Sequence, residues 1–233
     1  MASISLVLPA YNEAENIEPM VAEAVPALEA NAGDYEIIVV DDGSADDTAA
    51  VTRRVMEANP HVRLVQHEVN QGFGAAVFSG FVSAEKEWIF YTDADRQFVL
   101  AELERFVPFM DEADLIAGYR APRRDPFLRV FYGKGWSALC TLVFGYTVRD
   151  VDCGFKLFRR EIIQELAPQI ASRGATFSIE WLARAKRAGY RFVELPVTHR
   201  PRVAGSQTGA NIDVIVRAFR ELARVRLQLW REG

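Results

Sequence analysis

The chain has 233 residues, of which 50% are hydrophobic, 25% charged and 11% aromatic. That excludes a disordered tail, a collagen-like repeat and a disulfide-stapled miniprotein, and leaves enough chain for a sizeable core. The net charge of -5 argues against bulk nucleic-acid binding, yet it averages two unlike parts: residues 1–100 hold 5 Lys+Arg against 17 Asp+Glu, and the remaining 133 hold 22 against 15.

The first apolar run, Ile4 to Leu8, stops at Pro9 and follows no basic segment, so it reads as a buried strand rather than a leader. A helical pattern follows from about Glu15 to Ala30. Glu36 to Val40 is a β-branched second strand, ended by Asp41-Asp42-Gly43-Ser44. A helix begins near Asp46, with Ser44 or Asp46 as candidate N-cap. His61 to Gln66 is a third strand, Gly74 to Ala84 a helix, and Glu87 to Tyr91 a fourth strand, ended by Asp93-Ala94-Asp95. Leu100 to Met110 reads as a helix and Asp114 to Gly118 as a fifth strand. Strands alternating with helices predict a three-layer α/β/α fold on a mostly parallel sheet, with ligands beyond the carboxyl ends of the strands.

The second half is less regular. Arg120 to Arg129 is a basic loop, and residues 120–134 contain five Lys/Arg and one acid. Val130 to Phe144 is an unusually apolar helix, either a core helix or one lying on anionic lipid; Lys134 and its glycines make it a poor membrane span. Gly154 to Phe158 is a strand, Phe177 to Ala188 an amphipathic helix, Arg191 to Val197 a strand, and Asn211 to Trp230 a helix with an apolar stripe and many arginines. Cys140 and Cys153 make no disulfide framework and no zinc spacing, so a reducing, cytosolic setting is expected. His61, His67 and His199 lack metal-ligand spacing and read as structural.

Three polar clusters follow strands of one sheet: Pro9-Ala10-Tyr11-Asn12-Glu13, Asp41-Asp42-Gly43-Ser44, and Asp93-Ala94-Asp95-Arg96-Gln97. Strand ends on one side of a parallel sheet converge, and carboxylates gathered there repel unless something positive binds. A hard divalent cation, Mg²⁺ or Mn²⁺, suits carboxylate and amide oxygens, and a nucleotide diphosphate is the simplest guest for it.

These motifs, with Asn70-x-Gly72 leading to Gly80, Asp150-x-x-x-Gly154-Phe155-Lys156 and Glu180 before a helix, resemble the family 2 glycosyltransferases of GT-A fold. The branch they look most like is the dolichol- and polyprenol-phosphate sugar synthases, and the likeness covers roughly residues 4–208. The resemblance implies a catalytic domain over residues 1–208, divided into a nucleotide-sugar half (1–118) and an acceptor half (119–208), followed by an amphipathic helix over 209–233. It implies that Pro9, Tyr11 and Glu13 line the base and ribose pocket, that Asp41 or Asp42 reads the base, and that Asp93 and Ala94 meet the nucleotide. Asp95 and Gln97, beside Asp93, would hold the metal. Arg120, Arg129 and Lys134 would bind phosphate. Arg202 falls in a loop that closes over the donor in the family, and here that loop departs from the family pattern: Gly205 is followed by Ser206-Gln207-Thr208 rather than a Ser-Lys pair.

The resemblance implies inverting transfer of a sugar from a GDP- or UDP-linked donor to a polyprenyl phosphate. A phosphate acceptor is already anionic and needs no general base. A soluble or polysaccharide hydroxyl acceptor would need one, for which Asp150, Asp152 and Glu180 are the candidates. An inactive nucleotide-sugar-binding subunit is the reading from another class, and the intact Asp93-x-Asp95 with Gln97 opposes it. The expected setting is the cytoplasmic face of a membrane, with peripheral contact and with a second copy or a membrane protein as possible partner.

Overall fold

The computed structural model describes residues 1–121, 127–174, 176–201 and 212–231; the side chains of 127–134 and 212–219 lie outside that description. One seven-stranded sheet runs through both halves of the chain. Its strands are β1 (Ser3–Ala10), β2 (Asp34–Asp41), β3 (Val62–Gln66), β4 (Trp88–Thr92), β5 (Leu115–Arg120), β6 (Phe155–Arg159) and β7 (Phe192–Val197), in the order β3-β2-β1-β4-β6-β5-β7. β6 is antiparallel to both neighbours, and the other pairings are parallel.

The near-continuous apolar runs of the strands follow from burial on both faces. Alternate residues feed two cores. Ile4, Leu6, Leu8, Ile37, Val39, Trp88 and Phe90 pack under α1 (Ala14–Asn31) and α2 (Thr48–Ala58). Val7, Ile38, Val40, Ile89 and Tyr91 pack under α3 (Phe73–Ser83), α5 (Arg160–Leu166) and α6 (Phe177–Arg187). α4 (Phe127–Phe144) and α7 (Ile212–Arg231) join this second layer through Cys140 and Leu222.

Three details depart from the sequence reading. The helix expected over Leu100 to Met110 is two short 3₁₀ segments, Leu100–Arg105 and Val107–Asp111. Pro108 has no N–H to continue an α-helical ladder at that junction. α2 starts at Thr48, two residues past Asp46; its N-cap position is Asp47, while Asp46 Oδ1 accepts from Thr48 N at 3.0 Å. Ser44, a candidate cap, instead accepts from Asn12 N at 2.9 Å. α5 was not foreseen, because seven residues carry too little periodicity to stand out.

The antiparallel strand is what shapes the site. β6 runs against β4, with Thr92 opposite Phe155, so the residues entering β6 arrive where β4 ends. The chain through Asp150 to Gly154 is thereby delivered to the mouth of the parallel strands.

Candidate active site

The loops after β1 and β2 are laced to each other. Asn12 takes a left-handed conformation (φ 56°), which Asn tolerates better than most residues. Its amide donates to Ser44 Oγ, and its Oδ1 accepts from Ala45 N at 2.9 Å. Glu13 N donates to Thr48 Oγ1 at 2.9 Å, Ala14 N to Asp46 Oδ2 at 3.2 Å, and Asp42 N to Ala10 O at 2.9 Å. Pro9 is buried at the end of β1, Glu13 is buried with Oε2 accepting from Asn16 Nδ2, and Tyr11 keeps an exposed ring. The two motifs thus form one rigid rim.

Asp41 and Asp42 are both buried but differently employed. Asp42 holds the loop ahead of α3: Oδ1 lies 2.7 Å from His67 Nδ1 and accepts from Gln71 N at 2.9 Å, while Oδ2 accepts from Gly72 N at 2.8 Å. His67 Nε2 in turn lies 2.9 Å from Ser79 Oγ on α3. Asp41 accepts from Ser44 N at 3.0 Å and from Gln66 Nε2 at 3.2 Å. Gly43, between the loops, has φ 66°, and a Cβ there would stand 2.5 Å from the backbone of Val69, so no side chain fits.

Asp93 and Asp95 stand at the exit of β4. The surrounding protein desolvates Asp93 and the charge of Asp95 adds to that, raising its pKa to about 7 against the opposing pull of Tyr91 OH, Arg120 and Lys156. Tyr91 OH donates to Asp93 Oδ1 at 3.1 Å. Gly154 is the seat for this carboxylate, since a Cβ there would overlap Asp93 itself. Asp95 Oδ1 accepts from Gln97 N at 3.1 Å, closing a tight turn across Arg96 (φ 61°), and Ala94 ahead of it is buried. Gln97 is tied to the segment after β7: Nε2 donates to Arg200 O at 3.0 Å, and Arg200 N donates to Gln97 O at 2.7 Å.

The residues after β5 and before β6 complete the mouth. Arg120 binds Asp150 through two parallel bonds, Nε to Oδ2 and Nη2 to Oδ1, each 2.7 Å. Burial lowers the guanidinium's pKa, but the bidentate bond to Asp150 outweighs it and leaves the pKa above its ordinary value. Lys156 is buried on β6, and its Nζ donates to the carbonyls of Val151 (3.1 Å) and Cys153, bracing the turn that carries Asp152. Asp152 is exposed. Glu180 lies elsewhere: it is fully buried in α6, and its carboxylate accepts from Ala171 N (3.1 Å), Ser172 N (2.7 Å) and Arg184 Nε (3.0 Å). Arg202 and the side chains of Arg129 and Lys134 lie outside the described residues.

Residues 5–167 match the family model "Glycosyl transferase family 2". The chain belongs to that family. Among curated proteins, this family 2 chain is 34% identical over 211 residues to dolichyl-phosphate beta-glucosyltransferase ALG5C of Trichomonas vaginalis, covering 83% of the chain and 62% of the relative. It is 33% identical to glycosyltransferase AglD of Haloferax volcanii, covering 85% of the chain and 33% of that protein. It is 30% identical to polyprenol monophosphomannose synthase of Mycolicibacterium smegmatis, covering 89% of the chain and 82% of the relative. The chain therefore spans less than two thirds of the length of the first two, 62% and 33%. Among solved structures, glucosyl-3-phosphoglycerate synthase from Mycobacterium tuberculosis, in complex with Mn²⁺, UDP-glucose and glycerol 3-phosphate, superimposes with a TM-score of 0.71. That match is 20% identical and covers 97% of this chain and 79% of the other; it establishes the GT-A fold.

Within this family 2 frame the sequence left the partners of two side chains open. Lys156 carried a signal, a lone cation inside an apolar strand, but its carbonyl partners are visible only once the turn is built. His67 was expected to be structural, and its position between Asp42 and Ser79 shows which structure it supports.

Proposed function

We propose that the chain transfers a sugar from a GDP- or UDP-linked donor to a polyprenyl phosphate, with inversion at the anomeric carbon. The observation that carries this reading is the Asp93–Asp95 pair at the end of β4, with Asp93 raised toward neutrality by burial and by its neighbour. Such a pair is relieved by a cation. Asp93, Asp95 and the Oε1 of Gln97 would hold Mg²⁺ or Mn²⁺, hard cations that prefer oxygen donors and would neutralise the departing diphosphate. The Mn²⁺ and UDP-glucose of the mycobacterial neighbour and the acceptors named for the curated relatives point the same way.

The laced rim of Tyr11, Glu13 and Asp41 would hold the base and ribose, and Asp42 would act indirectly by fixing the loop before α3. Residues 1–118 would serve the donor, residues 119–208 the acceptor, and residues 209–233 would add a surface helix. A phosphate monoester is ionised at neutral pH and attacks without a general base. That agrees with the occupied carboxylates of Asp150 and Glu180. Arg120, oriented by Asp150, would supply positive potential at the ends of β5 and β6, and Arg129, Lys134 and Arg202 would add to it.

A second reading, transfer to a hydroxyl, is favoured by one observation: Asp152 is exposed beside this mouth and could serve as base. Among the described residues no helix is long and apolar enough to cross a membrane. We place the chain at the cytoplasmic face as a peripheral protein, alone, as a homo-oligomer, or on a membrane-protein partner. The test is a panel of radiolabelled nucleotide sugars with polyprenyl phosphate and Mg²⁺ or Mn²⁺. Lipid-extractable label from one donor, with inverted configuration, is expected. Label appearing only in a water-soluble product would refute the reading in favour of a hydroxyl acceptor.

A further inference from the structure

The described side chains of α7, residues 220–231, anchor it by one face. Leu222, Val225 and Leu229 are buried, with Val225 and Leu229 packed on Ala183 of α6 and Phe144 of α4. Arg187 Nη1 donates to Leu229 O at 2.7 Å. Glu221, the single acid between 220 and 231, is turned inward, where its Oε2 accepts from Thr176 Oγ1 at 2.9 Å. Among the described side chains of α7 the outer face therefore carries no negative charge. It presents Arg220, Arg224, Arg226 and Arg231 around Leu227 and Trp230, the indole 70% exposed. Leu227 and Trp230 are three residues apart, hence neighbours on the helix, and Arg224, Arg226 and Arg231 lie within one turn of one or the other. Phe144 packs the end of α4 against the inner face of α7, and two residues to either side of it Leu142 (83% exposed) and Tyr146 are exposed, the Tyr146 OH donating to Glu194 Oε1.

We propose that the outer face of α7, with the adjoining end of α4, docks on an anionic lipid bilayer. The occupant is argued from charge and amphipathicity together. Four arginines on the described part of a helix in a chain of net charge -5 form a local positive face. The apolar groups beside them are those that favour the membrane boundary: a Trp with one polar edge, and leucines that can enter the acyl region. Nucleic acid would use the arginines but leave Leu142, Leu227 and Trp230 uncovered. Docking deepens the proposed function, because the polyprenyl acceptor resides in the bilayer; the surface itself is read independently of the reaction.

The experiment is co-sedimentation of the full chain with phosphatidylcholine vesicles, with and without 30% phosphatidylglycerol. Binding is expected only with the anionic lipid and should weaken as salt is raised. A basic residue near such a surface is worth roughly a factor of five in partitioning, so R224Q/R226Q/R231Q should bind at least about tenfold more weakly. W230S should weaken binding while leaving the charge unchanged. Circular dichroism melts of both variants should match the parent, since all four positions are exposed. Binding to anionic vesicles that these variants do not change, or no binding by the parent, overturns the proposal. So does a parent that is dimeric in sedimentation velocity through a contact abolished by W230S, or one that prefers RNA to vesicles. Transfer to a short, water-soluble polyprenyl phosphate separates the two readings. Variants that keep this activity but lose vesicle binding support docking, and a parent that binds vesicles but has no transferase activity with any donor sinks the function alone.

Discussion

Removing the charge of Asp150 tests how the mouth between the end of β5 and the start of β6 is built. Arg120 and Asp150 meet through two bonds of 2.7 Å, with side chains 8% and 9% exposed. Deleting one partner of a buried pair costs about 3–5 kcal/mol, because the remaining charge stays desolvated. Asp150→Asn keeps an amide oxygen that can accept one guanidinium bond, which recovers about 1 kcal/mol. The expected net loss is therefore about 2–4 kcal/mol. For a chain of this size that is a fall in Tm of roughly 5–12 °C, read by calorimetry and checked by urea titration. Arg120→Gln, Asp150→Asn and the double variant complete a cycle, in which the coupling should reach about 2 kcal/mol. If each single change costs less than about 0.5 kcal/mol and the coupling vanishes, the pair is a solvent-screened surface contact and the reasoning fails.

Three other outcomes are expected. Asp93 has a folded pKa of about 7, above the unfolded carboxylate range, so its contribution is fully present below roughly pH 4 and is lost as pH rises toward 7. In EDTA the urea midpoint of the parent should drop across that window, and Asp93→Asn should flatten the drop; identical profiles would show that Asp93 is not the group responsible. Gly154→Ala puts a methyl group onto the Asp93 carboxylate and should cut kcat/KM for the donor at least tenfold, with a circular dichroism spectrum like the parent's. Asp95→Ala should abolish transfer, and unaltered turnover would remove Asp95 from the cation site.

How far this molecule could be read from its residues depends on the distance over which each feature is determined. The β-α alternation was legible because apolar runs such as Glu36 to Val40 report burial on both faces within a few residues. The gathering of the Tyr11-Asn12-Glu13, Asp41-Asp42 and Asp93-Ala94-Asp95 clusters followed from parallel strands. What Asp42 does did not follow, because its partners at His67, Gln71 and Gly72 come from a loop 25 to 30 residues away. In the sequence Glu180 reads as a candidate base or as a solvated helix residue, and only burial under the Ala171–Ser172 backbone shows that it is neither free nor wet.

The sequence by itself determined the fold class, the family and the set of carboxylates at the strand ends, since periodicity and motif spacing are local quantities. Only the tertiary structure decided that β6 runs antiparallel between β4 and β5. The strand's own pattern is the same in either direction, and the direction is set by what its neighbours pair with. That one choice brings Gly154 beneath Asp93 and Asp150 onto Arg120. The acidic first part of the chain and the basic second part therefore meet at one mouth.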